Sequence, residues 1–166
     1  MQDANPYSTP QSEVRDVEPE LRLGGRGERL GAAIIDGLIL IAILMPAMFF
    51  GGYFSGIMQG VSPGFGTQAL WALIAFAIMV AVQGYPLAQS GQTWGKKLLK
   101  LKIVTLDGAQ PDFLRLIAYR YGSTQLISLV PVVGTLYAFV NVLFIFRADK
   151  RCLHDHIAGT RVVVAS

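Results

Sequence analysis

The sequence predicts an all-α integral membrane protein with four transmembrane helices, the last two forming a short helical hairpin, and a small cytoplasmic two-stranded sheet. Three observations lead there. Hydrophobic residues make up 52% of the 166 positions and charged ones only 15%, where a soluble domain carries about 25% charged residues. From Gly37 through Gly95 there is not one Asp, Glu, Lys or Arg. The 14 Lys and Arg fall into three groups separated by apolar stretches, as the positive-inside rule leads one to expect.

The elements follow in order. Residues 1–27 are polar, rich in Gln, Ser, Pro and charge, and read as a disordered cytoplasmic tail ending in a Gly24–Gly27 hinge. They hold no apolar run, so no cleavable signal peptide is expected. The membrane domain then occupies 28–166. Its first span covers about 28–50, apolar after Arg29 except for Asp36; about 20 residues suffice to cross the hydrocarbon core. Gly51–Gly66 is a charge-free, Gly-rich loop. The second span covers about 67–87, with Trp71 and Tyr85 near its ends, where aromatic rings favour the interface.

The hydrophobic window from Phe113 to Phe146 would reach roughly 50 Å as one helix, too long for a single crossing. Pro131 and Gly134 interrupt it, which splits it into spans of 113–130 and 131–147. Four crossings bring all three basic groups to the cytoplasmic side: Arg15 to Arg29, Lys96 to Arg120, and Arg147 to Arg161. Three crossings would export the last group. A re-entrant hairpin is the alternative for the two short segments. Between spans two and three, Trp94, Leu98 and Leu99 beside Lys96, Lys97 and Lys100 predict a turn or two of interfacial helix. Leu101–Leu106 reads as a strand ended by the Asp107-Gly108 turn, and Thr160–Ala165 as a second strand that pairs with it.

The net charge of +3 and pI near 9.2 need no nucleic-acid partner, because the bilayer accounts for them; mild basicity beside lipid favours anionic headgroups. The lone Cys152 excludes an internal disulfide. No phosphate loop, nucleophile–base pair or paired carboxylates appears, so an enzyme and a cofactor are not expected.

Asp36 is the one acidic residue within a span, apart from Glu28 at its start. An intramembrane carboxylate is expensive and marks a functional candidate; burial would raise its pKa, as a proton-exchanging group requires. A hydrogen-bonded clamp between helices is the equally plausible alternative. Arg29 lies two turns earlier on the same face, about 10 Å away along the axis, and on its own reads as a snorkelling interfacial residue. Asp36 is therefore expected within reach of an Arg, either Arg29 of a neighbouring copy or Arg115 or Arg120 of span three. Gln83, Gln125 and Asn141 read as amides tying helices together. Cys152-Leu-His-Asp-His156 carries zinc-ligand types, but the spacing fits no common site and reads better as a capped junction before the last strand. Gly52, Gly56 and Gly60 have small-residue spacing, in a segment read as loop.

Taken together these residues resemble the RDD family of bacterial membrane proteins, named for an Arg at the start of the first helix, an Asp within it, and a second Asp. Arg29 and Asp36 match the first two, within Arg29-Leu-Gly-Ala-Ala-Ile-Ile-Asp36. Gly91-Gln-Thr-Trp-Gly-Lys-Lys-Leu-Leu-Lys100 resembles the family's middle loop, and Leu153-His-Asp-His-Ile-Ala-Gly-Thr-Arg-Val-Val163 its C-terminal end, which places the second Asp at Asp155. The resemblance implies a bacterial inner-membrane location and a proposed transport role, with cation/proton antiport suggested for some members. Two readings follow. In one, a homo-oligomer moves a small cation against protons with Asp36 as the protonatable carboxylate. In the other, a non-transporting membrane assembly or interaction module is locked by Arg29, Asp36 and Asp155, with Arg115 and Arg120 in the same charge cluster.

Overall fold

A computed structural model describes residues 21–165. Helix α1 runs Arg26–Phe50 and, after the short α2 at Tyr53–Met58, helix α3 runs Phe65–Ser90. At about 1.5 Å per residue these 25- and 26-residue helices are roughly 38 Å long, enough for the ~30 Å hydrocarbon layer. They are not the core of a water-soluble fold. Leu30, Ile34, Leu38 and Ile41 on α1, and Leu70 and Leu73 on α3, are exposed, so apolar side chains face outward along both helices. The Gly51–Gly66 segment expected as loop folds α2 within it. There Tyr53 lies edge-on to Trp71, ring centroids 5.7 Å apart.

The packed core lies at one end of these helices. Ala32, Leu87, Leu101, Ile103, Leu116 and Val162 form it, drawn from α1, α3, the strands and the segment beginning at residue 113. Helix α4, Trp94–Leu98, follows Thr93, whose hydroxyl accepts from the Lys96 N–H. Strand β1, Leu101–Thr105, pairs antiparallel with β2, Thr160–Val164, in the register Leu101↔Val164, Ile103↔Val162, Thr105↔Thr160. The two strands pair as expected of segments that would each leave their backbone unpaired alone, each one residue shorter than expected.

The tail does not remain loose up to residue 27. Residues 1–20 lie outside the described residues, but Leu23 bridges Val163, Gly24 N donates to Val162 O at 3.0 Å, and Val164 N donates to Arg22 O at 2.9 Å. β2 has a second edge whose backbone groups need partners, and residues 22–24 supply them. Gly25 is then the N-cap of α1, its N–H bound by the Glu28 carboxylate at 2.7 Å, an acid where the helix N-terminus favours one.

The stretch from 113 to 146 is broken where Pro131 requires. Helix α5, Phe113–Arg115, continues as a π-helical segment, Leu116–Gly122, and as α6, Ser123–Ser128; α7, Pro131–Leu143, continues as a 3-10 turn, Phe144–Phe146. Val130 is extended (φ −93°, ψ 108°), as a residue before proline prefers. The hairpin closes tightly, since a Cβ on Gly134 would lie 2.8 Å from Ser128 Cα. Its far end returns to the start of α1, where Arg26 donates to the carbonyls of Ile145 (3.1 Å) and Phe146 (3.2 Å). Each arm is about 24 Å long by helical rise, shorter than the hydrocarbon layer. Among the described residues, two helices thus have full crossing length. A last helix, α8 at Leu153–Ala158, precedes β2.

Candidate functional site

The charged residues gather at the packed end in two adjoining clusters. The first is built on Asp155, the third residue of α8. Its carboxylate accepts the Cys152 backbone N–H at 3.0 Å, a reciprocal cap that starts the helix. Gly159 (φ +61°) then ends α8 in the left-handed conformation, so that β2 turns back and sets Thr160 Oγ1 3.4 Å from Asp155 Oδ1. Arg29, from the first turn of α1, reaches Asp155 Oδ2 with Nη2 at 2.5 Å, and Arg120, from the π-helical segment, bonds Oδ1 with Nη1. One fully buried carboxylate therefore takes two guanidiniums, themselves 9% and 3% exposed. Arg29 also donates to Lys150 O, and Arg120 to Thr160 Oγ1 at 2.8 Å. Burial pushes the Asp155 carboxyl up, but Arg120, with His154 and Arg29, outweighs it and holds the group well below the usual carboxylate range.

His154 flanks this cluster. Asn141 Oδ1 accepts from the His154 backbone N–H at 3.2 Å and lies 2.9 Å from Nδ1, which sets the proton of the neutral ring on Nδ1. Burial, then the charge of Arg120, pushes the pKa down to about 3. Protonation therefore opposes the folded state. Stability is complete above the free-histidine pKa and falls as pH drops below it, by up to about 2 kcal/mol at pH 5. Chemical unfolding in detergent between pH 7.5 and 5 should show this slope, and His154→Gln should flatten it.

The second cluster surrounds Asp36. Its Oδ1 accepts from Gly95 N at 2.7 Å and Gln83 Nε2 at 3.0 Å, its Oδ2 accepts from Thr93 Oγ1 at 2.5 Å, and Lys96 Nζ stands 4.0 Å away. Gln83 Oε1 in turn accepts the Trp94 N–H at 2.9 Å, and Trp94 Nε1 donates to Val82 O at 2.8 Å. Asp36 thereby pins α4 against α1 and α3. The expectation that Arg115 or Arg120 of the same chain meets Asp36 is corrected here: its cation within the chain is Lys96. Arg29 and Arg120 are drawn to Asp155, which is wholly buried and needs their charge more than the partly exposed Asp36 does.

Arg115 stands outside both clusters. Its Nε donates to Ala158 O at 3.0 Å, satisfying a carbonyl at the end of α8. Gln125 Nε2 donates to Ala72 O at 3.0 Å and ties α6 to α3. Gln83, Thr93 and Lys96 are the members that the sequence did not single out as a group. A signal existed in the Thr93 N-cap and in Gln83, one of few polar residues within α3.

Cys152, His154 and Asp155 bring ligand atoms within 4.8 Å of one another, but the set does not suit a metal. Two guanidiniums occupy the Asp155 oxygens, the His154 ring binds Asn141, and burial pushes the Cys152 thiol up, away from the thiolate a metal needs.

The RDD family model matches residues 23–159, a range that takes in both clusters apart from Thr160. The chain belongs to the RDD family. It is 25% identical over 138 residues, 83% of this chain and 82% of the relative, to the uncharacterised protein YckC of Bacillus subtilis (strain 168). No solved structure matches it. Of the Arg–Asp–Asp set that gives the RDD resemblance, Arg29 and Asp155 meet directly, while Asp36 serves the neighbouring cluster two turns along α1. With two long outward-facing apolar helices, this RDD chain is a membrane protein.

Proposed function

We propose that the protein is a non-transporting membrane assembly or interaction module of the bacterial cytoplasmic membrane, with four membrane segments and both termini inside. One observation carries the functional half: the oxygens of both carboxylates are already committed within the fold. Asp36 accepts three hydrogen bonds and Asp155 is shared by two arginines. A carboxylate that exchanges protons with a substrate path needs an oxygen open to water or cargo, and here those positions hold Gln83, Thr93, Gly95, Arg29 and Arg120. The topological half is supported by the hairpin. This reading draws on both ends of the hairpin lying at the charged end, through Arg115–Ala158 O and Arg26–Phe146 O, with the basic groups of the described residues then on one side. The 24 Å arms would cross with modest local thinning of the bilayer.

Proteoliposome flux tests the module. Wild type and Asp36→Asn should both fold and show no proton-coupled cation movement, since the amide keeps an acceptor for Gly95 and Gln83. Cation-dependent proton flux in wild type that Asp36→Asn abolishes would replace the module with the antiporter reading, which needs a homo-oligomer to enclose a pathway. Topology is tested by single-cysteine labelling in a Cys152→Ser background. Positions 62 and 135 should react only from outside and position 166 only from inside; an outside 166 removes the fourth crossing.

A further inference from the structure

Beside the Asp155 cluster, a cavity of about 310 Å³ opens between the start of α1 and the end of α7. Its walls are of two kinds. Leu30, Val142 and Phe146 are apolar and exposed, so this side faces whatever surrounds the helices. Its floor carries Arg26, Lys96 and Arg120 together with Arg29, and among the described residues no carboxylate lines it.

The cations are not used up by the fold. Arg120 spends Nη1 on Asp155 and Thr160, and its Nη2 and Nε have no acceptor among the described residues. Lys96 Nζ makes one long hydrogen bond, 3.4 Å to Thr93 Oγ1, and stands 4.0 Å from Asp36. Arg29, Arg120, Lys96 and Arg26 face two carboxylates, Asp155 and Asp36, which leaves an excess of two positive charges. Donors without acceptors beside a surplus of cations call for an anion, and an apolar wall leading away from them calls for hydrocarbon. A free phosphate would satisfy only the first.

We infer that this groove binds an anionic phospholipid, its phosphate held by Lys96 and Arg120 and one acyl chain lying against Leu30, Val142 and Phe146. Arg26 closes the polar edge by bonding the Ile145 and Phe146 carbonyls and stacking on the Phe146 ring, 5.7 Å from its centroid. The position agrees with the lipid's own geometry, since the groove lies where α1 leaves its apolar stretch for the charged end. The inference rests on the membrane placement proposed above and is independent of whether the protein transports.

Native mass spectrometry of the full chain in neutral detergent, titrated with phosphatidylglycerol or phosphatidylcholine, tests it. Phosphatidylglycerol should be retained in preference, and Lys96→Gln should weaken its retention by about fivefold, the effect of one basic contact with an anionic lipid. Lys96 also neighbours Asp36, so Val142→Trp provides the second variant: it fills the groove at an exposed position, leaves every charge in place, and should lower retention as well. Equal retention of the two lipids, or wild-type retention in Val142→Trp, overturns the site. Inorganic phosphate that displaces phosphatidylglycerol at equal concentration overturns the lipid in favour of a free anion. The labelling and flux outcomes are read separately, so loss of this site leaves topology and module to their own tests.

Discussion

Asp155→Ala should lower the stability of the protein in detergent by about 3–5 kcal/mol, the cost of breaking a buried ion pair from one side. The substitution leaves Arg29 and Arg120 buried, with only Lys150 O, Cys152 Sγ and Thr160 Oγ1 to bind. It also removes the cap from the Cys152 N–H. Four elements then lose their common point: α1, the π-helical segment, α8 and β2. Asp112→Ala is the control. Asp112 caps α5 on the surface, accepting from Arg115 N at 3.2 Å, and losing it should cost only ~1 kcal/mol. Denaturant or thermal unfolding followed by tryptophan fluorescence reads both variants. An Asp155→Ala protein within ~1 kcal/mol of wild type would mean that the three-residue lock is not what holds the charged end together.

Gly95→Ala should be nearly as damaging although it adds a single methyl. An ideal Cβ on Gly95 would lie 2.3 Å from Ala32 O and 3.0 Å from Asp36 Cγ. The first of these is helix backbone and cannot rotate away, so α4 must lift off α1. That movement breaks the 2.7 Å bond from Gly95 N to Asp36 and strains those from Gln83 and Thr93. Overpacking of about 1–3 kcal/mol adds to a lost hydrogen bond on a charged acceptor, about 1.5–3 kcal/mol. Gly37→Ala, where a Cβ meets nothing within 4 Å, should leave stability unchanged or raise it through the better helix propensity of alanine. If the two alanine variants melt together, the α1–α4 contact is looser than this packing requires. Because Asp36 has the same partners in both proposed activities, this effect on stability is expected whether or not the protein transports.

The apolar elements were legible because each announces itself locally. A charge-free run from Gly37 to Gly95 with one glycine-rich interruption can hardly be anything but two long lipid-facing helices, and α1 and α3 occupy it. Pro131 removes an N–H and constrains Val130, so the break there follows from two residues. The β-branched and apolar residues of Leu101–Leu106 and Thr160–Ala165, the first ended by the Asp107-Gly108 turn, mark two strands that need a partner, and they are each other's. The family, too, was readable from three short motifs in order, and the RDD match bears it out.

What tertiary structure alone decided is which charge meets which. From the sequence, Asp36 and Asp155 each had several arginines and lysines within plausible reach, and spacing along a chain says nothing about a partner from another element. Arg120 sits on a π-helical segment whose wider turns no propensity rule foretells, and it points at Asp155 while Arg115, five residues earlier, points at Ala158 O. The free energy of a buried ion pair depends on how completely each partner is desolvated, and desolvation exists only once α1, α8 and the sheet have closed over the site. Residues 22–24 show the same principle in the backbone: Arg22, Leu23 and Gly24 are too short a stretch to carry a strand signal, and they are held because β2 arrives with an unpaired edge.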